Sequence, residues 1–347
     1  MLLPQSHRGV ARPGASLHCP LNPPQACPAR SRAARILSKL LVGIVAGAAW
    51  TGPLQAGTIS IPNASFEFPV VPIDITPAIP DMDYWQKSPE PGWYASSPYA
   101  SYPWEDDMGT FYNFPSPDTF IDNCDGSQAA FLFGLPDVAI FQDYNSIYGT
   151  NTTPSHAFNA RFNVNRAYTF TLGVIGGIYG APPLYEGATL QLSLYYRDAS
   201  SNMVIVAATT ITNSAQLFPT NTHLVDFSVS VPAVRAADPW AGQNIGIQIA
   251  STVSPSLASG YWDVDNARLT ETVLPSLTAS RMTNNQFGFI LQSEPGLRFE
   301  ILATTNLALP ISNWTSLGTL TNVTGTAPFL DSTTNFNHRF YRACQLP

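Results

Sequence analysis

Polar and apolar residues alternate with a period of two over long stretches of this 347-residue chain. Thr189-Leu-Gln-Leu-Ser-Leu-Tyr-Tyr196, Leu224-Val-Asp-Phe-Ser-Val-Ser-Val231 and Ile245-Gly-Ile-Gln-Ile249 each put apolar side chains on one side of an extended backbone and polar ones on the other. That is the signature of a β-strand with one buried and one wet face. Turn formers punctuate the pattern at Gly176-Gly177, Asp198-Ala-Ser-Ser-Asn202, Asp238-Pro239 and Ser254-Pro255. The pattern predicts strands at 57–61, 118–121, 128–133, 138–144, 168–176, 188–197, 203–212, 223–231, 244–251 and 260–271. It breaks at Val273-Leu-Pro275-Ser276 and restarts on a smaller scale, with strands expected at 276–282, 286–292, 298–304, 314–320, 328–330 and 339–344. Many short, regularly punctuated strands without a helical period predict an all-β protein built from sandwiches or barrels. Two bodies are expected, a large one at 57–273 and a small β-sandwich at 276–347.

Residues 69–117 interrupt the rhythm. They are rich in proline and carry the rings of Tyr84, Trp85, Trp93, Tyr94, Tyr99, Tyr102, Trp104, Phe111, Tyr112 and Phe114. Disordered segments are poor in aromatic residues, and structureless loops of this length are otherwise mostly functional. An ordered, ring-bearing loop is expected here.

Charge narrows the function classes. Charged residues are 11% of the chain, against roughly 25% in ordinary soluble domains, and Thr, Ser, Asn, Gly and Pro supply the polarity instead. The net charge is −7, and no basic cluster follows residue 40. Nucleic acid is excluded as a partner on that ground. At the N-terminal end, Arg32, Arg35 and Lys39 precede the apolar run Leu40 to Trp50, and a breaker stretch ends at Ala56-Gly57. These are the three parts of a bacterial-type secretory signal. The apolar run is too short for a membrane span, which needs about 20 residues. Cleavage is expected after Ala56, giving a protein secreted, at the cell surface or in the periplasm, with no span in the mature chain. Residues 1–31 read either as the product of a start codon assigned too early or as an extended n-region. Cys19 and Cys27 fall in this leader, and Cys124 and Cys344 are expected to stay unpaired because they lie in different bodies. No Gly-x-Ser-x-Gly elbow, phosphate loop or dinucleotide fingerprint is present.

Several segments follow one another in a telling order. They are Pro62-Asn-Ala-Ser-Phe-Glu67, Tyr84-Trp85, Asp125-Gly-Ser-Gln-Ala-Ala-Phe-Leu-Phe133, Ile140-Phe-Gln142, Tyr168-Thr-Phe-Thr-Leu172 and Trp262-Asp-Val-Asp-Asn-Ala-Arg-Leu269. This resembles the galactose-binding-like jelly roll of carbohydrate-binding modules and related exported wall-associated proteins, over roughly residues 57–272. The small body, with Phe299-Glu-Ile-Leu, Trp314 and Arg339-Phe-Tyr-Arg342, resembles a β module appended to many exported bacterial proteins, a spacer or attachment unit. The resemblance implies that the two ends of the jelly roll meet. It also implies a structural calcium held by Glu67 and Asp265 with help from Asn63, Asp263 being a weaker candidate, and it makes Trp85 a core residue.

Sugar rings offer apolar C–H faces to aromatic side chains. Trp93, Tyr94, Tyr99, Tyr102 and Trp104 are therefore the candidate platform for a polysaccharide or glycan. The loop is longer than the resembled family's, so no ligand contact transfers to it by position. The chain is read as a non-catalytic, carbohydrate-binding exported protein. The alternatives are an adhesive surface protein without a small ligand, and a polysaccharide hydrolase or lyase drawing on Glu105, Asp106 and Asp107.

Overall fold

Alternation becomes strand wherever one face has a core to meet. In the computed structural model of the protein, which describes residues 57–115, 120–176, 183–220, 222–332 and 335–346, the segments around Leu190, Val229 and Ile247 are all strands. The predicted leader, residues 1–56, and residues 118–119 of the strand expected at 118–121 lie outside the described residues, and Phe120 and Ile121 of that expected strand are not in a strand.

The large body contains β1 (Gly57–Ile59), β2 (Ala78–Ile79), β3 (Gln86–Lys87), β4 (Met108–Tyr112), β5 (Gln128–Phe133) and β6 (Ala139–Gln142). It continues with β7 (Arg166–Gly176), β8 (Thr189–Arg197), β9 (Met203–Thr212), β10 (Val225–Val231), β11 (Gly246–Ser251) and β12 (Tyr261–Val273). One sheet runs β10-β7-β12-β5-β4-β2, with β1 also beside β12, and the other runs β3-β6-β11-β8-β9. Every neighbouring pair is antiparallel. Alternate residues of these strands fill one core: Phe170, Leu172 and Val174 of β7, Leu190, Leu192 and Leu194 of β8, Ile247 and Ile249 of β11, Trp262 and Val264 of β12. Trp85 lies in this core, 3% exposed and stacked on Phe66.

The remaining strands, β13 (Ser276–Thr283), β14 (Gln286–Gln292), β15 (Arg298–Thr304), β16 (Thr315–Thr321), β17 (Thr326–Ser332) and β18 (Phe340–Leu346), form two three-stranded sheets, β13-β14-β17 and β16-β15-β18. Phe287, Phe289, Leu291, Phe299, Ile301 and Tyr341 make a separate core there. Cys124 and Cys344 are free thiols. Among the described residues no helix is long and apolar enough to cross a membrane.

The two ends of the large body come together on β12. Tyr261–Val264 pair with β5, and Leu269–Glu271 pair with β1 on the same side. Between them the register against β7 shifts from Asp265 to Arg268, with Asn266 at φ 59°. A bulge of this kind leaves backbone groups unpaired, and the chain after β1 fills the gap: the Ala267 N–H donates to the Ala64 carbonyl at 3.0 Å.

The stretch at 69–117 is less loop than its composition implies. It holds β2, β3 and β4, and β4 pairs with β5 along its full length, from Met108 opposite Leu132 to Tyr112 opposite Gln128. Its rings hid the strand, because they follow no simple alternation.

Candidate functional site

Four of the five candidate platform rings are turned into the protein. Trp104 and Tyr94 are each 2% exposed. The Trp104 indole donates to the Ser88 carbonyl at 2.7 Å, and the Tyr94 hydroxyl donates to the carbonyls of Tyr99 and Tyr102. Trp93 packs edge-on against Trp104 at 6.2 Å and donates to the Asp137 carboxylate, and the Tyr99 hydroxyl donates to the Ala258 carbonyl. Only Tyr102 faces outward, 69% exposed. The expectation of a five-ring platform is corrected on this point: Tyr94 and Trp104 belong to the main core and Trp93 and Tyr99 pack against it, so these rings pin the proline-rich loop to the sandwich. Of the neighbouring acids, Glu105 is exposed and Asp107 is buried, its carboxyl pushed up to about 6 by burial. The Lys87 ammonium lies among them, donating to the carbonyls of Pro80 and Glu105, and burial lowers it to about 8.

The expected calcium ligands meet the same kind of outcome. Glu67 and Asp265 do converge, on the segment 125–128, but they hold it by hydrogen bonds. Glu67 accepts from the Ser127 and Gln128 N–H groups at 2.8 and 2.7 Å and from the Ser127 hydroxyl at 2.9 Å. Asp265 accepts from the Asp125 N–H at 2.6 Å. The Asn63 side chain is spent on Phe68 and Asp83, and its carbonyl takes the Trp85 indole proton. Calcium takes 6–8 oxygens at about 2.3–2.6 Å. Here Glu67 accepts three hydrogen bonds and Asn63 is committed elsewhere; Asp265 Oδ1 is buried without a hydrogen-bond partner, but among the described residues no three acidic, His or Cys groups gather as a metal set. These residues do not fit the ion. Excess EDTA, or added calcium, is expected to leave the melting temperature within about 1 °C, since only a ligand of the folded state shifts it. A calcium-dependent rise of several degrees, reversed by chelator, would restore the metal.

The site that the sequence reading missed lies on the outer face of the β7-containing sheet. Where Trp262 and Val264 point into the core, Tyr261 and Asp263 point out, and opposite them on β5 Phe133 and Phe131 do the same. Phe111 of β4 lies on that face too, with Tyr112 and Phe114 at the rim. Together they line a pocket of about 380 Å³ with Asp263 in its wall, within the roughly 300–1,000 Å³ of small-molecule sites. Pro77 and Ala78 close one side. Gly109 permits that wall: a Cβ there would stand 2.1 Å from the Ile79 carbonyl oxygen.

Asp263 is 3% exposed, and its Oδ1 receives no hydrogen bond from any described residue. Its cross-strand neighbours are Phe131 and Ile175. Burial alone pushes its carboxyl up to about 8, because an apolar surround disfavours the charged form. Asp265, two residues along, is pushed to about 7 by burial, opposed by the N–H of Asp125.

No protein-family model matches the chain. No curated protein matches it. Among solved structures, the chain is similar to a cyclase from Fischerella sp. TAU at 19% identity, over 64% of this chain and 100% of that one, with a TM-score of 0.46. It is also similar to the N-terminal CBM22 tandem domain of a Paenibacillus barcinonensis protein at 8% identity, over 76% and 79%, with a TM-score of 0.30. A third likeness is to an arabinose-bound α-L-arabinofuranosidase at 11% identity, over 68% and 30%, with a TM-score of 0.35.

Proposed function

We propose that this is an exported, non-catalytic carbohydrate-binding protein whose sugar lies in the ring-lined pocket beside Asp263, and not on the loop at 93–104. The observation that carries the reading is the pairing of one buried carboxyl, with an unpartnered oxygen, and flat apolar faces on the same wall. A pyranose is the complement of such a wall. Its C–H faces stack on rings, and its hydroxyls satisfy a buried acceptor that is otherwise costly to leave unpaired. Export is supported by the leader pattern that ends at Ala56, and the small C-terminal body serves as spacer or attachment unit.

A hydrolase is the weaker reading. Glycoside hydrolysis needs two carboxyl groups about 5–5.5 or 6.5–9.5 Å apart, and Asp263 is the only acid among the described residues that line the pocket.

The test is a glycan array followed by calorimetry on the best saccharide. Phe131→Ala is expected to weaken binding by at least about tenfold, in line with the loss of one stacked ring, while Tyr102→Ala leaves it unchanged. The reverse pattern would return the site to the loop, and silence on every glycan would favour an adhesive protein without a small ligand.

A further inference from the structure

Among the described residues, the lining of the Asp263 pocket holds no Lys, Arg or His. The basic residue nearest along the strand, Arg268, is engaged with Asp226 at 2.5 Å. The pocket that Asp263 shares is lined by the rings of Phe111, Phe131, Phe133 and Tyr261, with Phe131 edge-on to Phe133 at 6.1 Å and Phe133 tilted to Tyr261 at 5.9 Å. Ring faces carry the negative part of the aromatic quadrupole and attract cations within about 6 Å of the centroid. A buried carboxyl oxygen without a partner, in a pocket lined by such rings, is suited to a cationic donor brought by the ligand. The chain as a whole, at net charge −7, also attracts cations.

We infer, building on the saccharide reading, that the ligand of this pocket is a glycan bearing a free amino group, whose ammonium pairs with the Asp263 carboxylate and lies against the surrounding rings. A hydroxyl gives the acid one ordinary hydrogen bond. An ammonium gives it a charge-assisted one, roughly twice as strong. Burial raises the Asp263 carboxyl to about 8 and so favours its proton-bearing form at neutral pH. When the ammonium enters, that proton leaves to solvent, and no other bond is made or broken. Among the described residues, the remaining titratable groups of the lining are the phenols of Tyr112 and Tyr261, and the flanking strands present Phe131 and Ile175 to the acid.

The experiment is isothermal titration calorimetry of the mature chain at pH 7 with three probes: a β-1,4-linked glucosamine oligomer, its fully N-acetylated counterpart, and benzylammonium. The amino oligomer is expected to bind at least about tenfold more tightly than the acetylated one. Asp263→Asn is expected to bring the two to parity, and the preference of the parent protein should shrink with added salt. Equal or tighter binding of the acetylated oligomer overturns the inference and leaves the saccharide reading standing. Benzylammonium bound at Asp263 with silence on both oligomers supports the cation and overturns the sugar. Heat from none of the three probes overturns the inference outright.

Discussion

Asp263→Asn is expected to stabilise the protein at pH 8 and to flatten its stability profile between about pH 4 and pH 8. An Asp in the unfolded chain ionises near 3.9, whereas in the fold Asp263 does so near 8. Between those values the folded state holds a proton that the unfolded state has lost. The sign follows from linkage: stability falls with rising pH wherever the folded state binds more protons, by up to about 1.4 kcal/mol per pH unit for one group. The favourable contribution is complete below about pH 4 and is lost as pH rises through the folded value. Summed over the window, with discount for local relaxation, the cost is on the order of 3–5 kcal/mol at pH 8. Asn keeps the shape and cannot ionise, at the expense of an unpaired buried amide worth about 1–3 kcal/mol. The variant is thus the less stable protein at pH 4 and the more stable one at pH 8. Urea unfolding at pH 4, 6 and 8 reads this directly, and Asp265 and Asp107, pushed up to about 7 and about 6, account for the slope that remains. Parallel profiles for parent and variant would mean that Asp263 is solvated and the pocket is not as described.

Glu67→Ala is expected to cost roughly 2–4 kcal/mol, the loss of three charge-assisted hydrogen bonds on a half-buried carboxylate. It leaves the N–H groups of Ser127 and Gln128 without their acceptor. Gly126, at φ 102°, lets the turn approach this carboxylate closely: a Cβ there would lie 2.5 Å from Glu67 Oε1. Glu67→Gln retains one acceptor oxygen and should lose about half as much. Chemical denaturation checks both. A loss under about 0.5 kcal/mol, the range of ordinary surface changes, would mean that this seam does not hold the two ends of the large body together.

Much of the fold was legible in the residues because packing and pattern agree there. β9, β14 and β15 begin and end where the alternation does. The meeting of the ends was legible too, from Glu67 and Asp265, but their chemistry was not. A carboxylate that accepts backbone N–H groups and one that ligates calcium look alike in a sequence. β4 escaped because Met108-Gly-Thr-Phe-Tyr112 sits among prolines and rings that mimic a loop.

The pocket left a trace that the sequence reading did not use. Ala129-Ala-Phe-Leu-Phe133 is apolar at every position, so both faces of β5 must be covered or used. Asp263 stands on the same outer face, between Tyr261 and Asp265, which is an odd place for an acid unless something meets it. No pattern in the chain announces which rings come together across β4, β5 and β12, because that depends on strand order. The rings of the 93–104 loop misled for the complementary reason: exposure cannot be read from residue type, and buried aromatic clusters and open platforms have the same composition.

The most direct measurement is a crystal structure of the protein with a bound saccharide. The sugar ring is expected to stack on Phe131 or Tyr261 with a polar group against Asp263 Oδ1. Sugar bound along Trp93, Tyr102 and Trp104, with the Asp263 pocket holding only water, would contradict it.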